Sequence, residues 1–182
     1  MDKLRENYFD ILELPESLNV NASDIRKAYY RLSRQHHPDH FSGGSEAERN
    51  KAILQSELIN QAYKVLSDDN LRMKHILDIY GMLAENEQVS LPREFLLEMM
   101  ELNESFEELD LTDPVVRADV EEVVESVEED LVEEVSPWLK KFEDGQRDKQ
   151  VMEGIRDYYL KSKYLLRIKE NMANFADPNR NL

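Results

Sequence analysis

The amino-acid sequence predicts an all-α protein in two parts, an N-terminal antiparallel helical hairpin packed against a C-terminal three-helix bundle. Glycine and proline are scarce, at 5 and 6 of 182 residues, and Glu, Leu, Lys and Ala dominate between them. The sequence lacks the long alternating runs of β-branched residues that are typical of strands. Charge divides the chain: residues 85–144 hold 21 acidic and 4 basic side chains, and the whole chain has a net charge of −16.

The boundary between the parts is predicted where the charge changes, in a turn-like stretch from Gly81 to Pro92. Gly81 can end one helix, and Pro92 can begin the next. The expected division is therefore an N-terminal domain over 1–80, a linker over 81–91 and a C-terminal domain over 92–182.

Composition excludes several classes of function. A chain this acidic is repelled by nucleic acids and by anionic membrane surfaces, so neither is expected as a partner. It has no cysteine, which excludes disulfides, thiolate catalysis and Cys-ligated metals. No run of 18 apolar residues and no signal-peptide pattern is found, so a cytoplasmic protein is expected. We also expect a monomer.

Four helices are expected in the N-terminal half, over about Tyr8–Leu12, from Asn21 or Ser23 to Gln35 or His36, over Glu46–Leu66 and over Leu71–Tyr80. Pro15 closes the first helix. The side chain of Asn21 or Ser23 can cap the backbone N–H groups that begin the second. A loop rich in Gly and Ser then lets the third helix return antiparallel to the second.

Three helices are expected in the C-terminal half, over about 92 to Asp110, from Pro114, and over Lys149–Asn174. Pro137 should kink or end the middle helix, because proline lacks the N–H and crowds the preceding turn. Gly145 marks the next break. The middle helix has one apolar stripe typical of plain bundle packing, at Val116, Val120, Val123, Val127 and Leu131.

The second helix has an apolar face and a basic face. Residues at helical spacing predict a buried stripe of Ile25, Ala28, Tyr29, Leu32 and His36. The opposite side carries Tyr30 and the four cations Arg26, Lys27, Arg31 and Arg34. On a generic helix such a face is simply solvated.

The tripeptide His37-Pro38-Asp39 gives this basic face a further meaning. Proline disfavours the α conformation of the residue before it, so the second helix must end near His36. The segment DIRKAYYRLSRQHHPDHF, followed by LINQAYKVLSDD and preceded by YFDILELP, resembles the J domain of DnaJ-type co-chaperones. That resemblance implies that His37, Pro38 and Asp39, with the cations Arg26, Lys27, Arg31 and Arg34, dock on a 70-kDa heat-shock chaperone and stimulate its ATPase.

An enzymatic interpretation of the same loop is weaker. His36, His37, Asp39 and His40 could be imagined as metal ligands, but paired-His sites need one continuous helical face and Pro38 interrupts it. Acid–base catalysis by His37 and Asp39 needs a cleft, of which the neighbouring residues give no sign. We therefore expect no catalytic residue, no metal and no cofactor, and the chain is not expected to be an enzyme.

The first helix of the C-terminal half has two apolar faces. At 100° per residue one stripe predicts a core, made of Phe95, Met99, Leu102, Phe106 and Leu109. The opposite face carries Leu96, Leu97 and Met100 among Glu101, Glu104 and Glu108. A second layer of helices could cover this face, or it could be an exposed partner site rimmed with carboxylates.

The last helix shows a similar division of apolar residues. Val151, Ile155, Tyr158, Leu165 and Leu166 cluster on one side, and Leu160, Tyr164 and Ile168 lie on the other. The segment FLLEMMELNESFEELD after the HPDHF loop resembles HscB, the J-type co-chaperone family of iron–sulfur cluster assembly. This resemblance implies that the bundle binds the cluster scaffold protein IscU through Leu96, Leu97, Met100, Glu101, Glu104, Glu108 and Tyr164, and delivers it to an HscA-like chaperone.

Two alternatives stay open at this stage: a J-domain co-chaperone for a different client, and a helical adaptor whose HPD tripeptide is incidental. The third helix adds a prediction about architecture. Leu54, Leu58 and Val65 form a second apolar line on it. We expect this line to pack against the C-terminal bundle and hold the two domains in a fixed, L-like arrangement.

Overall fold

The structure, a computed structural model, describes residues 6–41, 43–83 and 91–176. The described residues form helices and turns without strands, which confirms the predicted all-α class. The seven α-helices are α1 (Tyr8–Leu12), α2 (Ala22–Gln35), α3 (Glu46–Leu66), α4 (Asp69–Ile79), α5 (Arg93–Glu108), α6 (Pro114–Glu143) and α7 (Lys149–Phe175), and a short 3-10 helix covers Pro38–Phe41. In these ranges no helix is long and apolar enough to cross a membrane.

The chain divides between Met82 and Leu83 into two compact units. Most of the predicted linker, residues 84–90, lies outside the described residues. The predicted domain bounds therefore stay a prediction, and so does the packing of Leu54, Leu58 and Val65 against the second unit.

Helix ends follow from capping side chains. The Asn21 side chain, rather than that of Ser23, caps α2, since its Oδ1 accepts the Ser23 N–H at 2.8 Å. Asp68 accepts the Leu71 N–H at 2.8 Å, so α4 begins at Asp69, two residues before the predicted start. An N-cap of this kind satisfies a backbone donor that the first helical turn leaves free.

Pro137 does not end α6, which continues to Glu143. Val135 before the proline and Phe142 after it are both buried. Burial of large apolar side chains on both sides stabilises the helix against the loss of one backbone hydrogen bond, a cost that an exposed helix could not offset.

The first unit is organised around α3, which contacts α1, α2, α4 and the 3-10 helix. Of the predicted α2 stripe, Ile25, Ala28 and Leu32 are buried, while Tyr29 and His36 are only partly so. Tyr29 stacks on Tyr63 of α3. Its hydroxyl donates to Asn60 Oδ1 at 3.0 Å, in an exposed position.

A buried cation closes the first unit. Arg72 on α4 is 5% exposed. Its guanidinium donates to the carbonyl of Leu18 at 2.8 and 3.0 Å and to that of Leu66 at 2.6 Å, and it pairs with Asp69. Each of these hydrogen bonds runs from a guanidinium N–H to an oxygen. Arg72 therefore supplies the donors that water would otherwise give to the two carbonyls.

The second unit contains the three helices α5, α6 and α7, with a shared apolar core. As predicted, Phe95, Met99 and Phe106 of α5 are buried. The prediction for Leu109 is wrong, because α5 ends at Glu108 and Leu109 has extended dihedrals that leave it 43% exposed. Leu111, in the turn that follows, is buried in its place.

The predicted sides of α6 and α7 also need correction. On α7, Leu165 and Ile168 were predicted to lie on opposite sides but are both buried, while Leu166, predicted to lie on the side of Leu165, is exposed. On α6, Val124 is buried while Val123 is 51% exposed. A helical wheel places residues relative to one another, but the neighbouring helices decide which part of an apolar stripe faces the core.

Two further contacts join α6 and α7. Gly154 lies against the Trp138 ring so closely that a Cβ there would come within 2.6 Å of it. Lys161 on α7 is almost buried, and its Nζ pairs with the Glu134 carboxylate at 2.6 Å. These contacts set the spacing between the two helices of this hairpin.

Candidate functional site

The chain turns sharply between α2 and α3. The α2 helix ends at Gln35, and the His36 N–H donates to the Leu32 carbonyl at 2.9 Å. The 3-10 helix Pro38–Phe41 follows, closed by the His40 N–H donating to the His37 carbonyl at 3.0 Å. The predicted stop before Pro38 is thus confirmed.

Local contacts orient the two polar side chains of the turn. The Asp39 N–H donates to His37 Nδ1 at 3.3 Å, and the Asp39 carboxylate lies 3.5 Å from the same nitrogen. The His37 side chain is 53% exposed and that of Asp39 is 89% exposed. The turn therefore presents both groups to solvent, in the manner of a contact surface rather than of a closed catalytic cleft.

The exit from the turn is held by a capping box. The Ser45 hydroxyl accepts the Glu48 N–H at 3.3 Å, and the Glu48 carboxylate accepts the Ser45 N–H and hydroxyl, both at 2.8 Å. These hydrogen bonds lower the pKa of Glu48, the backbone one most. Arg49 donates to the Gly44 carbonyl at 3.0 and 3.2 Å. Hydrogen bonds between residues close in sequence therefore hold the backbone at both ends of the loop.

The described residues around the turn form no metal-binding group. Among the residues that the structure describes, no set of three or more His, Asp or Glu side chains converges closely enough to hold a metal ion. His37 and His40 meet edge to face, with ring centroids 6.1 Å apart.

The basic face of α2 is exposed along its length at Arg26, Lys27, Arg31 and Arg34. Lys27 pairs with Asp24 on its own helix at 3.1 Å, and Arg31 pairs with Glu13 at 2.7 Å. Within the described part of the chain the other two arginines have no ion-pair partner. All of these ions are largely solvated, so the pairs contribute little to stability.

The two acidic partners were missed by the sequence prediction. Asp24 and Lys27 are three residues apart on one helix, a spacing from which their pair could have been predicted. Glu13 and Arg31 are on different elements, and nothing in the sequence pattern indicates their contact.

The outer face of α5 presents exposed apolar side chains. Leu97 is 46% and Met100 is 55% exposed, so the interpretation that a second layer of helices covers them is wrong for both. Leu96 is half-buried. The three carboxylates predicted to rim this face are all exposed, at Glu101, Glu104 and Glu108.

Tyr164, the candidate on α7, is partly buried and packs against the core of the second unit. Its ring meets Phe95 of α5 edge to face at a centroid distance of 6.0 Å. Asn171 Nδ2 donates to Asn103 Oδ1 at 2.9 Å farther along the same two helices. The α7 helix therefore determines how α5 is held.

Comparisons with known proteins match both units. A family model described as the DnaJ domain matches residues 7–75, and one described as the HSCB C-terminal oligomerisation domain matches residues 91–173. The fold is similar to the crystal structure of human co-chaperone protein HscB, with a TM-score of 0.71 and 26% identity over 93% of this chain and 81% of that one. It is also similar to the chaperone HscB from Vibrio cholerae, with a TM-score of 0.66 and 28% identity over 92% of this chain and 96% of that one.

Proposed function

The chain belongs to the HscB-type J-domain co-chaperones of iron–sulfur cluster assembly, and we propose that it connects two partners. Its C-terminal unit binds a cluster scaffold protein of the IscU kind. Its N-terminal unit docks on an HscA-like 70-kDa heat-shock chaperone and stimulates ATP hydrolysis there. The chain acts as a monomer in the cytoplasm and supplies neither a catalytic group nor a cofactor.

The observation that carries the proposal is the turn at His37–Asp39 beside the basic face of α2. Its two polar side chains, those of His37 and Asp39, are exposed, and the backbone around them is fixed by hydrogen bonds. A charged face steers an acidic partner towards the site, and a preorganised turn then makes one oriented contact at little entropic cost.

The outer face of α5 supports the second contact. Leu97 and Met100 each keep about half of their surface in water. Burying the rest against a partner contributes about 1 kcal/mol for each side chain. The surrounding carboxylates of Glu101, Glu104 and Glu108 favour basic groups on the partner and exclude acidic ones.

These two contacts give a simple order of events. The co-chaperone first binds the scaffold protein through Leu97 and Met100. Docking of the His37–Asp39 turn then brings the scaffold to the substrate-binding part of the chaperone and triggers ATP hydrolysis. Hydrolysis tightens the chaperone's hold on the scaffold and so promotes release of the cluster.

A reciprocal pair of variants tests the proposal. His37→Gln should abolish stimulation of ATP hydrolysis by a purified HscA-like chaperone and leave the affinity for IscU unchanged. Leu97→Ala combined with Met100→Ala should weaken IscU binding about tenfold or more and leave stimulation without IscU intact.

His40→Gln is the matched control, because it makes the same substitution in the same turn and should retain stimulation. Loss of both properties from either variant would instead indicate misfolding, which circular dichroism detects. Stimulation without IscU binding would favour a different client protein. Unchanged stimulation by His37→Gln would leave only the helical adaptor.

A further inference from the structure

The end of α1 adopts a backbone conformation that does not suit its residue. Glu13 follows α1 with φ 55° and ψ 43°, and it is the one non-glycine residue with positive φ among those the structure describes. Its N–H donates to the Asp10 carbonyl at 3.2 Å, as expected for a left-handed helix cap. Glycine adopts this conformation without steric cost, whereas a glutamate adopts it only at a steric cost.

The Glu13 side chain extends to the docking face. Its carboxylate lies 2.7 Å from the guanidinium of Arg31, with the two side chains 59% and 51% exposed. An ion pair this solvated contributes little to folding. Fold stability therefore gives no reason for a glutamate at a position where glycine would be less strained.

We propose that Glu13 sets the affinity of the docking face by competing with acidic groups of the chaperone for Arg31. This inference rests on the proposed function. While Glu13 holds Arg31, the chaperone meets Arg26 and Arg34 as the cations of α2 that have no ion pair within the described residues. It must displace a carboxylate to engage the third arginine.

Two substitutions separate charge from backbone strain. Glu13→Gln removes the charge but keeps the side-chain length and the left-handed residue, and Glu13→Gly removes both the charge and the strain. Both variants should lower the co-chaperone concentration that half-maximally stimulates an HscA-like chaperone by about two- to fivefold in low salt. The maximal stimulated rate should not change, because His37 and Asp39 are untouched. Only Glu13→Gly should also raise the melting temperature.

Three controls isolate the Arg31 contact. Asp10→Asn removes an equal charge three residues earlier, on α1, at a residue without an ion pair in the described ranges. It should change the half-maximal concentration much less. In an Arg31→Ala background, Glu13→Gln should have no further effect, because the competition no longer exists. The gain should also shrink at high salt, since exposed charges are screened.

The inference is overturned if Glu13→Gln leaves the half-maximal concentration unchanged or raises it, or if Asp10→Asn lowers it equally. It is also overturned if only Glu13→Gly has an effect, since backbone strain would then be the cause. If His37→Gln stimulates the chaperone as well as the wild type does, the proposed function itself is refuted, so the two failures are distinguishable.

Discussion

The turn at His37–Asp39 and the outer face of α5 present opposite chemistry and are held in place by different means. The turn is positioned by hydrogen bonds between residues close in sequence, from His36 to Glu48. The α5 face depends on α7, through Phe95 against Tyr164 and Asn103 bonded to Asn171, some seventy residues away. A local turn can be recognised as a motif, whereas a face held by distant contacts shows only as periodicity.

The two surfaces also differ in the sign of their charges and in how those charges are paired. On α2 two of the four cations already have acidic partners, so the charge of the basic face is partly neutralised within the chain itself. On α5 the carboxylates surround exposed apolar groups and add charge selectivity to a hydrophobic contact. The proposed function therefore predicts that the first unit selects its partner mainly by charge and the second mainly by apolar area.

The largest effect is expected from Arg72→Met, which tests how far the first unit depends on one buried cation. The carbonyls of Leu18 and Leu66 would lose their hydrogen bonds from the guanidinium, and the free energy of unfolding should fall by about 3 kcal/mol. Urea denaturation followed by circular dichroism measures this, and hydrogen exchange should speed up more in α3 and α4 than in α7.

Arg49→Met is the matched control, since Arg49 also donates to a backbone carbonyl but is exposed. We expect it to cost less than about 1 kcal/mol. Equal losses for the two variants would show that burial of Arg72 is not what makes its hydrogen bonds important.

Gly154→Ala should have the next largest effect and tests the packing of the second unit. Alanine normally stabilises a helix interior by about 1 kcal/mol relative to glycine. Here the added Cβ would approach the Trp138 ring to 2.6 Å, so we expect a net loss of about 1–3 kcal/mol. In a Trp138→Leu background the same substitution should cost nothing or become stabilising. A higher melting temperature for Gly154→Ala alone would contradict the close packing.

The smallest effect is expected from the histidine buried in the first unit. His75 Nε2 accepts the Tyr8 N–H at 3.0 Å, and the two rings stack. Burial lowers the pKa of His75, against the opposing influence of the Asp78 and Glu16 carboxylates. The folded protein thus favours the neutral imidazole. Its contribution to stability is complete above the ordinary pKa of 6.5 and is lost as the pH falls through the lowered value.

His75→Gln tests this pH dependence, because glutamine can accept the same N–H but does not titrate. Between about pH 7.5 and about pH 5.5 the melting temperature of the wild type should fall more than that of the variant. All four histidines of the chain lie between residues 36 and 75, so histidine protonation acts on the first unit. An equal fall in melting temperature in the two proteins would show that His75 does not cause the pH dependence.

Much of the fold follows from local signals in the sequence. Caps such as Asn21, and Pro38 after α2, act on the backbone within a few residues, so most helix ends were predicted to within about two residues. The possible end at Pro137 is the exception, since α6 continues to Glu143. The exchange of Leu109 for Leu111 in the core was not predictable in this way, because it depends on the turn after α5 and on the helices that pack there.

The candidate site residues also differ in whether local sequence or distant packing determines them. The residues of the turn carry a specific motif. Helical spacing placed Leu97 and Met100 off the core stripe of α5 but left open whether a second layer of helices covers them. The contact of Glu13 with Arg31 joins residues 18 positions apart, and it exists only because α1 packs against α2. The left-handed conformation of Glu13 is likewise invisible in the sequence, where a glycine would have signalled it.

The most direct test of the central claim, that α5 holds the scaffold, is calorimetric titration of purified IscU into this protein. The test variant replaces Leu96, Leu97 and Met100 with alanine. The control removes exposed apolar groups from α6 instead, by Val115→Ala, Val123→Ala and Val132→Ala. We predict micromolar binding that the control keeps and the test variant loses. Binding that survives in the test variant, or an equal loss in both, would contradict the assignment of this face.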